Sequence, residues 1–132
     1  MTQEHKELLI KDLCARLDTN LVCSIYRTDD EGVGYRDEIL HGYCKGDIWY
    51  EFYFREDCSI SIDNVSKIKP YLFPLSSMTD EQEEEYDRLN CWELGGFPHT
   101  EEALDYLIEN HFDYRYLIDI GLAIDATNKD IY

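Results

Sequence analysis

The sequence has few basic side chains and lacks the features of several large classes of protein. Its 132 residues contain 12 Lys and Arg against 29 Asp and Glu, a net charge of −17 at pH 7. Such a charge repels phosphate backbones and anionic membrane surfaces, so direct binding of nucleic acid is not expected. The chain has no apolar run of about 18 residues that could span a membrane, and its first twenty residues contain no apolar block typical of a secretion signal. We therefore expect a cytoplasmic protein that does not act on membranes.

Common cysteine and catalytic motifs are also missing. Five cysteines are present, an odd number, and no two lie closer than nine residues: Cys14, Cys23, Cys44, Cys58 and Cys91. This spacing predicts neither a disulfide framework nor a CxxC motif. There is no GxSxG, HExxH or glycine-rich phosphate loop, and the adjacent carboxylates of Asp29 and Asp30 lie in a predicted loop, where acid–base geometry is poorly held. We expect no cofactor and no enzyme activity. The alternative is an enzyme whose active site carries no recognisable sequence motif.

The apolar content is high enough for a folded core despite the charge. Hydrophobic residues make up 44% of the chain, including eleven Tyr, five Phe and two Trp. Burial of that much apolar surface can offset the conformational entropy lost on folding. The length fits one ordinary domain, and there is no internal repeat, low-complexity tract or linker. The sequence predicts a single domain over residues 1–132.

Short patterns predict a helix followed by strands in the N-terminal half. Thr2 can cap a helix in which Leu9, Leu13 and Leu17 form one apolar stripe. The glycine-containing, acidic residues 29–34 are expected to form a loop tip. Four stretches favour strands: LVCSIYRT, a stretch from Tyr35 in which polar and apolar residues alternate irregularly, IWYEFYF and CSISID.

Prolines and a capping pattern divide the C-terminal half. Pro70 and Pro74 predict that residues 67–75 form a connector between elements, because each proline biases its preceding residue away from helical angles. Thr79 and Gln82 match a capping box, the pattern that begins a helix. The sequence therefore predicts a helix that starts directly after Thr79.

Two further helices are predicted before the end of the chain. Thr100 can cap the first, and Asp113 can cap a short last one over residues 114–120 that Gly121 ends. The apolar face of the first consists of Leu104, Leu107, Ile108 and His111. Because strands are grouped and helices are grouped along the chain, the sequence predicts an α+β fold. We expect an N-terminal helix, a small antiparallel sheet or SH3-like partly open barrel of about four strands, and two to three C-terminal helices.

Carboxylates are concentrated in the predicted C-terminal helices. Residues 70–132 hold three basic and 15 acidic side chains, whereas residues 1–69 hold nine basic and 14 acidic side chains. One interpretation is a solvated face of a soluble protein. The other is a surface that binds a partner protein, including one that imitates the phosphates of nucleic acid. The candidate partner-binding carboxylates are Glu83, Glu84, Glu85, Asp87, Glu101, Asp105 and Glu109.

The aromatic strand IWYEFYF provides a second candidate surface. Phe52 and Phe54 share one face of this strand, and Trp49 and Tyr53 share the other. An aromatic strand can stack nucleic-acid bases, but the basic groove required beside it is missing. Trp49 and Tyr53 are therefore candidate residues for a contact with a partner protein or with a second copy of the chain.

Possible metal ligands are scattered along the sequence. They are His41, Cys44, Cys91, His99 and His111. Only His41 and Cys44 lie close together, and residues three apart on a strand point to opposite faces. His111 continues the apolar face of a predicted helix and fits a hydrogen-bonded residue at its boundary. We predict no metal site.

Three stretches resemble a known group of proteins. They are KELLIKDLCARL (Lys6–Leu17), IKPYLFPLSSMTDEQ (Ile68–Gln82) and NHFDYRYLIDIGLAIDA (Asn110–Ala126), together 44 of the 132 residues. They resemble a family of small uncharacterised proteins of gut-dwelling anaerobes and their phages and prophages. The resemblance implies no catalytic residues, because that family has no assigned activity.

Two positions depart from the family pattern. Members of the family often have Pro-Tyr-Gly where this chain has Asp18-Thr19-Asn20, and Gly where it has Tyr116. With the composition, the resemblance leads us to expect a non-enzymatic, phage-related accessory protein that acts by protein–protein interaction as a monomer or weak homodimer. The alternatives are an acidic nucleic-acid mimic that inhibits a DNA- or RNA-handling host enzyme, and an enzyme.

Overall fold

The chain forms an α+β fold, as the order of its sequence patterns predicts. The computed structural model describes residues 1–29, 32–45, 50–54, 58–91 and 98–132. Its α-helices are α1 (Gln3–Ala15), α2 (Asp80–Leu89) and α3 (Glu101–Glu109). Its strands are β1 (Val22–Asp29), β2 (Gly32–Lys45), β3 (Tyr50–Phe54), β4 (Cys58–Ser61), β5 (Ile68–Pro74), β6 (Phe112–Asp113) and β7 (Ile124–Asp125). None of the helices in these ranges has the length and apolar character of a membrane span.

The strands form one mixed sheet in the order β4-β3-β2-β1-β5-β6, with β7 also paired to β5. Neighbours from β4 to β5 are antiparallel, and β6 and β7 run parallel to β5. The prediction of about four strands was wrong, because seven lie in the described part of the chain. The additional strands come from the proline-containing segment 68–74 and from two short pairings made by the C-terminal segment.

Segment 68–74 is a strand, where a connector was predicted. Pro70 pairs with Cys23 at the last position of the ladder with β1, and Pro74 pairs with Asp113 at the last position of the ladder with β6. Proline lacks a backbone N–H and is tolerated in sheets at such end positions. The strand is possible because its two halves have different neighbours.

Three of the four predicted helix caps are present, at Thr2, Thr79 and Thr100. The hydroxyl of Thr2 accepts a hydrogen bond from the backbone N–H of His5 at 3.1 Å, and that of Thr100 accepts one from Ala103 at 3.0 Å. At α2, Thr79 and Gln82 form the complete capping box. Caps depend on residues at most a few positions apart, so sequence alone is sufficient to predict them.

The predicted last helix is absent. Residues 114–121 form a series of turns, and Tyr116 has a φ of 57° in the left-handed region, where a right-handed helix cannot continue. The Asp113 carboxylate still accepts hydrogen bonds from the backbone N–H groups of Leu117 and Ile118, each at 2.9 Å. Asp113 therefore fixes a compact turn, and the C-terminal helices number two in the described residues.

Two apolar clusters lie inside the molecule. The larger one packs α1 against the sheet, with Leu9, Leu13, Ile25 and Phe52 among its fully buried residues. The smaller one joins α2 and α3 to the β5–β6 end of the sheet and consists of Tyr86, Ala103, Leu107 and Phe112. The paired helices are thus held at one edge of the sheet, and the rest of their surfaces is left for solvent.

The β1–β2 hairpin extends beyond the rest of the sheet. β5 pairs with β1 only over residues 23–25, and β3 pairs with β2 only over residues 40–45. The predicted loop at residues 29–34 is shorter than expected, because β2 begins at Gly32, whose φ of 140° suits glycine. Asp30 and Glu31 lie outside the described residues. Tyr35, 71% exposed, lies on this extension.

Candidate functional site

The two C-terminal helices carry ten carboxylates, which we call the acidic surface. Eight are exposed and two, Glu85 and Asp87, are half-buried. The acidic surface consists of Asp80, Glu81, Glu83, Glu84, Glu85 and Asp87 of α2 and Glu101, Glu102, Asp105 and Glu109 of α3. It includes all seven carboxylates that the sequence predicts as partner-binding candidates.

Helix packing explains why these carboxylates face solvent. Tyr86 of α2 and Ala103 and Leu107 of α3 are buried in the smaller apolar cluster. With 3.6 residues per turn, the row formed by Glu101 and Asp105 lies on the side of α3 opposite Ala103 and Leu107. The charges are therefore held on the outer sides of rigid elements by a core on their inner sides.

The acidic surface contains one cation, which is already paired. The guanidinium of Arg88 donates two hydrogen bonds to the carboxylate of Glu85, at 2.5 and 3.2 Å. This contact lowers the pKa of Glu85. Among the described residues, no other carboxylate of the acidic surface has a basic side chain within 4 Å. Nine carboxylates of the surface are therefore left without a basic neighbour in the part of the chain that the structure describes.

The two helices of the acidic surface lie side by side. Their apolar sides pack together in the smaller cluster, and the hydroxyl of Thr100 donates a hydrogen bond to the carbonyl of Leu89 at 2.7 Å. Burial, and then the charge of Glu85, raise the pKa of Tyr106 on α3, so the Glu85 side of α2 faces α3. The carboxylates of α2 and α3 therefore lie on two helices that pack directly against each other.

The predicted aromatic candidates are only partly described. Tyr53 is 37% exposed, and its hydroxyl donates a hydrogen bond to Glu51 at 2.9 Å, which raises the pKa of Tyr53 to about 12. Phe52 and Phe54 are buried on the other face of β3, as predicted. Trp49 lies outside the described residues. Tyr35 on the β1–β2 hairpin is more exposed than Tyr53, and the sequence pattern did not single it out.

A cleft opens beside the acidic surface, where β5, α2, α3 and the C-terminal segment meet. We call it the Tyr132 cleft; its volume is about 330 Å³. It is lined by Phe73, Ser77, Gln82, Glu109, Asn110, His111, Phe112, Thr127, Asn128 and Tyr132. Gln82 and Glu109 belong to the same two helices as the acidic surface, so cleft and surface are adjacent parts of one region.

Aromatic rings and backbone hydrogen bonds form the walls of the Tyr132 cleft. The rings of His111 and Tyr132 are stacked with centroids 3.8 Å apart. The Tyr132 hydroxyl donates to the carbonyl of Tyr71 and accepts from the N–H of Val22, both at 2.9 Å. The N–H of Phe73 donates to the carbonyl of His111 at 2.8 Å. These hydrogen bonds connect the walls of the cleft to β1 and β5.

His111 contributes an uncharged ring to the cleft. The residue is buried, and burial together with the charge of Arg16 lowers the pKa of His111 to about 4. The sequence placed His111 on the apolar face of α3, but α3 ends at Glu109 and His111 has a left-handed φ of 62°. At neutral pH, Glu109 is the side chain that gives the described lining its charge.

A buried ionic network fixes α1 to the segment that lines the cleft. Arg16 donates to the Asp12 carboxylate at 3.0 Å and to the carbonyl of Phe112 at 2.6 Å, and Arg115 donates to Asp12 at 3.2 Å. Asp12 and Arg16 are both completely buried. The sequence offered one signal for this network, a charge pair at i, i+4 beside the apolar stripe of α1.

The possible metal ligands are not brought together. Among the described residues, no group of three or more His, Cys, Asp or Glu side chains is placed to hold a metal ion. His41 and Cys44 lie exposed on β2, whereas His111 is buried beside Tyr132. The sequence predicts no catalytic residue, so there is no predicted catalytic residue to locate in the structure.

Comparisons with protein-family models, curated proteins and solved structures give no match.

Proposed function

We propose that this protein is a non-enzymatic binding protein that holds a positively charged partner protein on its acidic surface. The observation that carries this proposal is the set of ten carboxylates on two packed helices, whose only basic side chain is paired with Glu85. Like charges at i, i+4 on a helix cost a few tenths of a kcal/mol per pair. A basic partner surface would complement these charges and speed association.

A second candidate function is mimicry of nucleic acid, in which the basic partner is a DNA- or RNA-handling enzyme of the host. The row Glu101, Asp105 and Glu109 supports it, because successive carboxylates are about 6 Å apart along α3 and all three are exposed. Nucleic acid would then compete with this protein for the same site on the partner. A general protein-binding surface would not be displaced in this way.

We further propose that the chain is related to the small proteins of anaerobes and their phages that it resembles. The support is the three stretches identified in the sequence. The cytoplasm is the proposed compartment, since Cys14, Cys23, Cys44 and Cys91 are free thiols, as is usual in reducing compartments. We propose a monomer or weak homodimer, and the likeness to an SH3-like barrel stays a prediction on which this function does not depend.

Affinity capture with matched variants tests the proposed function. The acidic-surface variant carries E83Q, E84Q, E101Q and D105N, and the control variant carries E4Q, E7Q, D18N and D130N, which remove four exposed carboxylates elsewhere. Both variants have the same net charge. Each is used as bait in a lysate of the natural host, with low-salt and high-salt washes and with or without unrelated DNA.

We expect wild type and the control variant to capture the same partner and the acidic-surface variant to lose it. Because exposed charges are screened by salt, the partner should be released in the high-salt wash. Displacement by DNA would identify the partner as a nucleic-acid enzyme and favour mimicry. A partner that all three baits retain in high salt would contradict the proposal and direct attention to Tyr35 and Tyr53.

A further inference from the structure

We infer that the Tyr132 cleft is an anchoring site for one arginine side chain of the partner protein. The inference rests on the proposed function and names the group that the partner inserts beside the acidic surface. The cleft lies where the first turn of α2 and the last turn of α3 meet the C-terminal segment, so a protein placed on the acidic surface would reach it. A single inserted side chain would fix the orientation that a field of charges alone leaves undefined.

The size of the cleft limits the occupant to a small group. Its volume of about 330 Å³ is at the low end of the range of about 300 to 1,000 Å³ found for small-molecule sites. A guanidinium group with its adjoining methylenes fits such a space, whereas a dinucleotide or other large cofactor does not. The site is therefore suited to one side chain.

The charge of the cleft selects a cation. Glu109 supplies a carboxylate, and no Lys or Arg is among the lining residues that the structure describes. His111 adds no opposing charge at neutral pH, because burial keeps it uncharged. The neighbouring carboxylates of α2 and α3 strengthen the negative potential at the entrance. Among protein side chains, this leaves arginine and lysine as candidates.

The hydrogen-bonding groups and rings favour arginine over lysine. The side-chain amide of Asn110 donates to the carbonyl of Tyr106 at 2.8 Å, which leaves its Oδ1 atom able to accept a bond. Glu109 and Asn110 therefore offer acceptors from adjacent residues to the planar fork of a guanidinium. Guanidinium groups also stack on aromatic rings, which Phe73 and Tyr132 provide in the lining.

Binding of three small probes tests the cleft directly. The probes are the N-acetyl amides of arginine, lysine and citrulline, the last having nearly the shape of arginine without its charge. Their binding is followed by NMR through the aromatic signals of Phe73 and Tyr132. The variant is Glu109→Gln, and the matched control is Glu4→Gln, which removes one exposed carboxylate of α1 from a residue outside the lining and outside the acidic surface.

We expect the arginine probe to shift the Phe73 and Tyr132 signals in wild type and in E4Q. In E109Q its affinity should fall about tenfold, because a charge-assisted hydrogen bond is lost. The lysine probe should bind several-fold more weakly, and citrulline should leave the signals unchanged. Equal shifts with citrulline, or equal binding by E109Q and E4Q, would overturn the inference. T127Y, which narrows the cleft from an exposed lining position, should abolish the shifts without removing a charge.

Failure of this inference can be told apart from failure of the proposed function. If no probe shifts the two signals while the acidic-surface variant still loses the captured partner, the anchoring site is wrong and the binding surface stands. If the arginine probe binds the cleft but the acidic-surface variant captures the partner as well as the control variant does, the proposed function fails. The anchoring of a partner's arginine is then overturned with it.

Discussion

Charged side chains occupy two contrasting environments in this molecule, a buried network and an exposed surface. Asp12 and Arg16 are completely buried, and their side chains are hydrogen-bonded to each other. Asp12 also accepts a hydrogen bond from Arg115, and Arg16 also donates one to the carbonyl of Phe112. On the acidic surface, ten carboxylates lie on two helices whose one basic side chain, Arg88, is paired with Glu85. One set of charges is tied into the structure, whereas the other is exposed on the outer sides of two helices.

This difference indicates which charges serve the fold and which are available for binding. A buried charge is expensive unless it is paired, so the Asp12–Arg16 network holds only in the folded arrangement of α1 and the C-terminal segment. An exposed carboxylate adds little to stability, and its removal should be tolerated. The comparison therefore predicts large effects on folding in one region and small ones in the other.

The largest expected effect is from the loss of Arg16. Arg16→Met would leave Asp12 buried with Arg115 as its remaining cation and would remove the donor to the carbonyl of Phe112. We expect the free energy of unfolding to fall by about 3 kcal/mol or more, measured by urea denaturation. Arg88→Met, at a site that is 59% exposed, is the matched control and should leave the free energy of unfolding nearly unchanged. Equal losses in the two variants would contradict the comparison.

Acid should destabilise the protein through His111. Its pKa is about 4 when folded and 6.5 when unfolded, so the unfolded chain binds more protons between these values. The stability that depends on neutral His111 is complete above pH 6.5 and is lost as pH falls toward 4, by at most about 3 kcal/mol. His111→Asn, an exchange that suits a left-handed backbone, should reduce the slope of unfolding free energy against pH in this window. An unchanged slope would show that His111 is not the responsible group.

A smaller effect is expected at Tyr116, which has a left-handed φ of 57°. Tyr116→Gly and Tyr116→Ala remove the same partly exposed ring, but only glycine lacks the Cβ atom that makes this conformation unfavourable. The glycine variant should therefore be more stable than the alanine variant by about 1 kcal/mol in thermal or urea unfolding. An alanine variant of equal or greater stability would argue against backbone strain at this position.

The smallest effect on folding is expected on the acidic surface. Replacement of Glu83, Glu84, Glu85 and Asp87 with Gln should leave the free energy of unfolding nearly unchanged, because only Glu85 has a basic partner among the described residues. The melting temperature should be nearly that of wild type. A large fall would mean that these carboxylates have structural partners and would remove the contrast with the buried network.

The sequence predictions were accurate for features that depend on residues close together in the chain and inaccurate for features that depend on distant segments. The capping hydroxyls of Thr2, Thr79 and Thr100 bond to groups three residues away, and all three caps were predicted. The strand at 68–74 was missed, because Pro70 and Pro74 are acceptable only at the ends of ladders with distant segments. Propensity alone contains no information about those partners.

The candidate site was predictable in its charges but not in its cleft. A helical repeat with apolar residues at Tyr86, Ala103 and Leu107 is enough to place the neighbouring carboxylates outside. The Tyr132 cleft combines Phe73, His111 and Tyr132, which are brought together by strand pairing and by the buried network. No local motif marks these residues, so only the fold identifies them as neighbours.

The central claim is that the position of the exposed carboxylates, and not the net charge, makes the acidic surface a binding surface. Its most direct test is the affinity of an arginine-rich peptide, measured by fluorescence anisotropy at low salt for wild type, the acidic-surface variant and the control variant. We predict that the acidic-surface variant loses at least about tenfold more affinity than the control variant, although both have lost four charges. Equal losses in the two variants would contradict the claim.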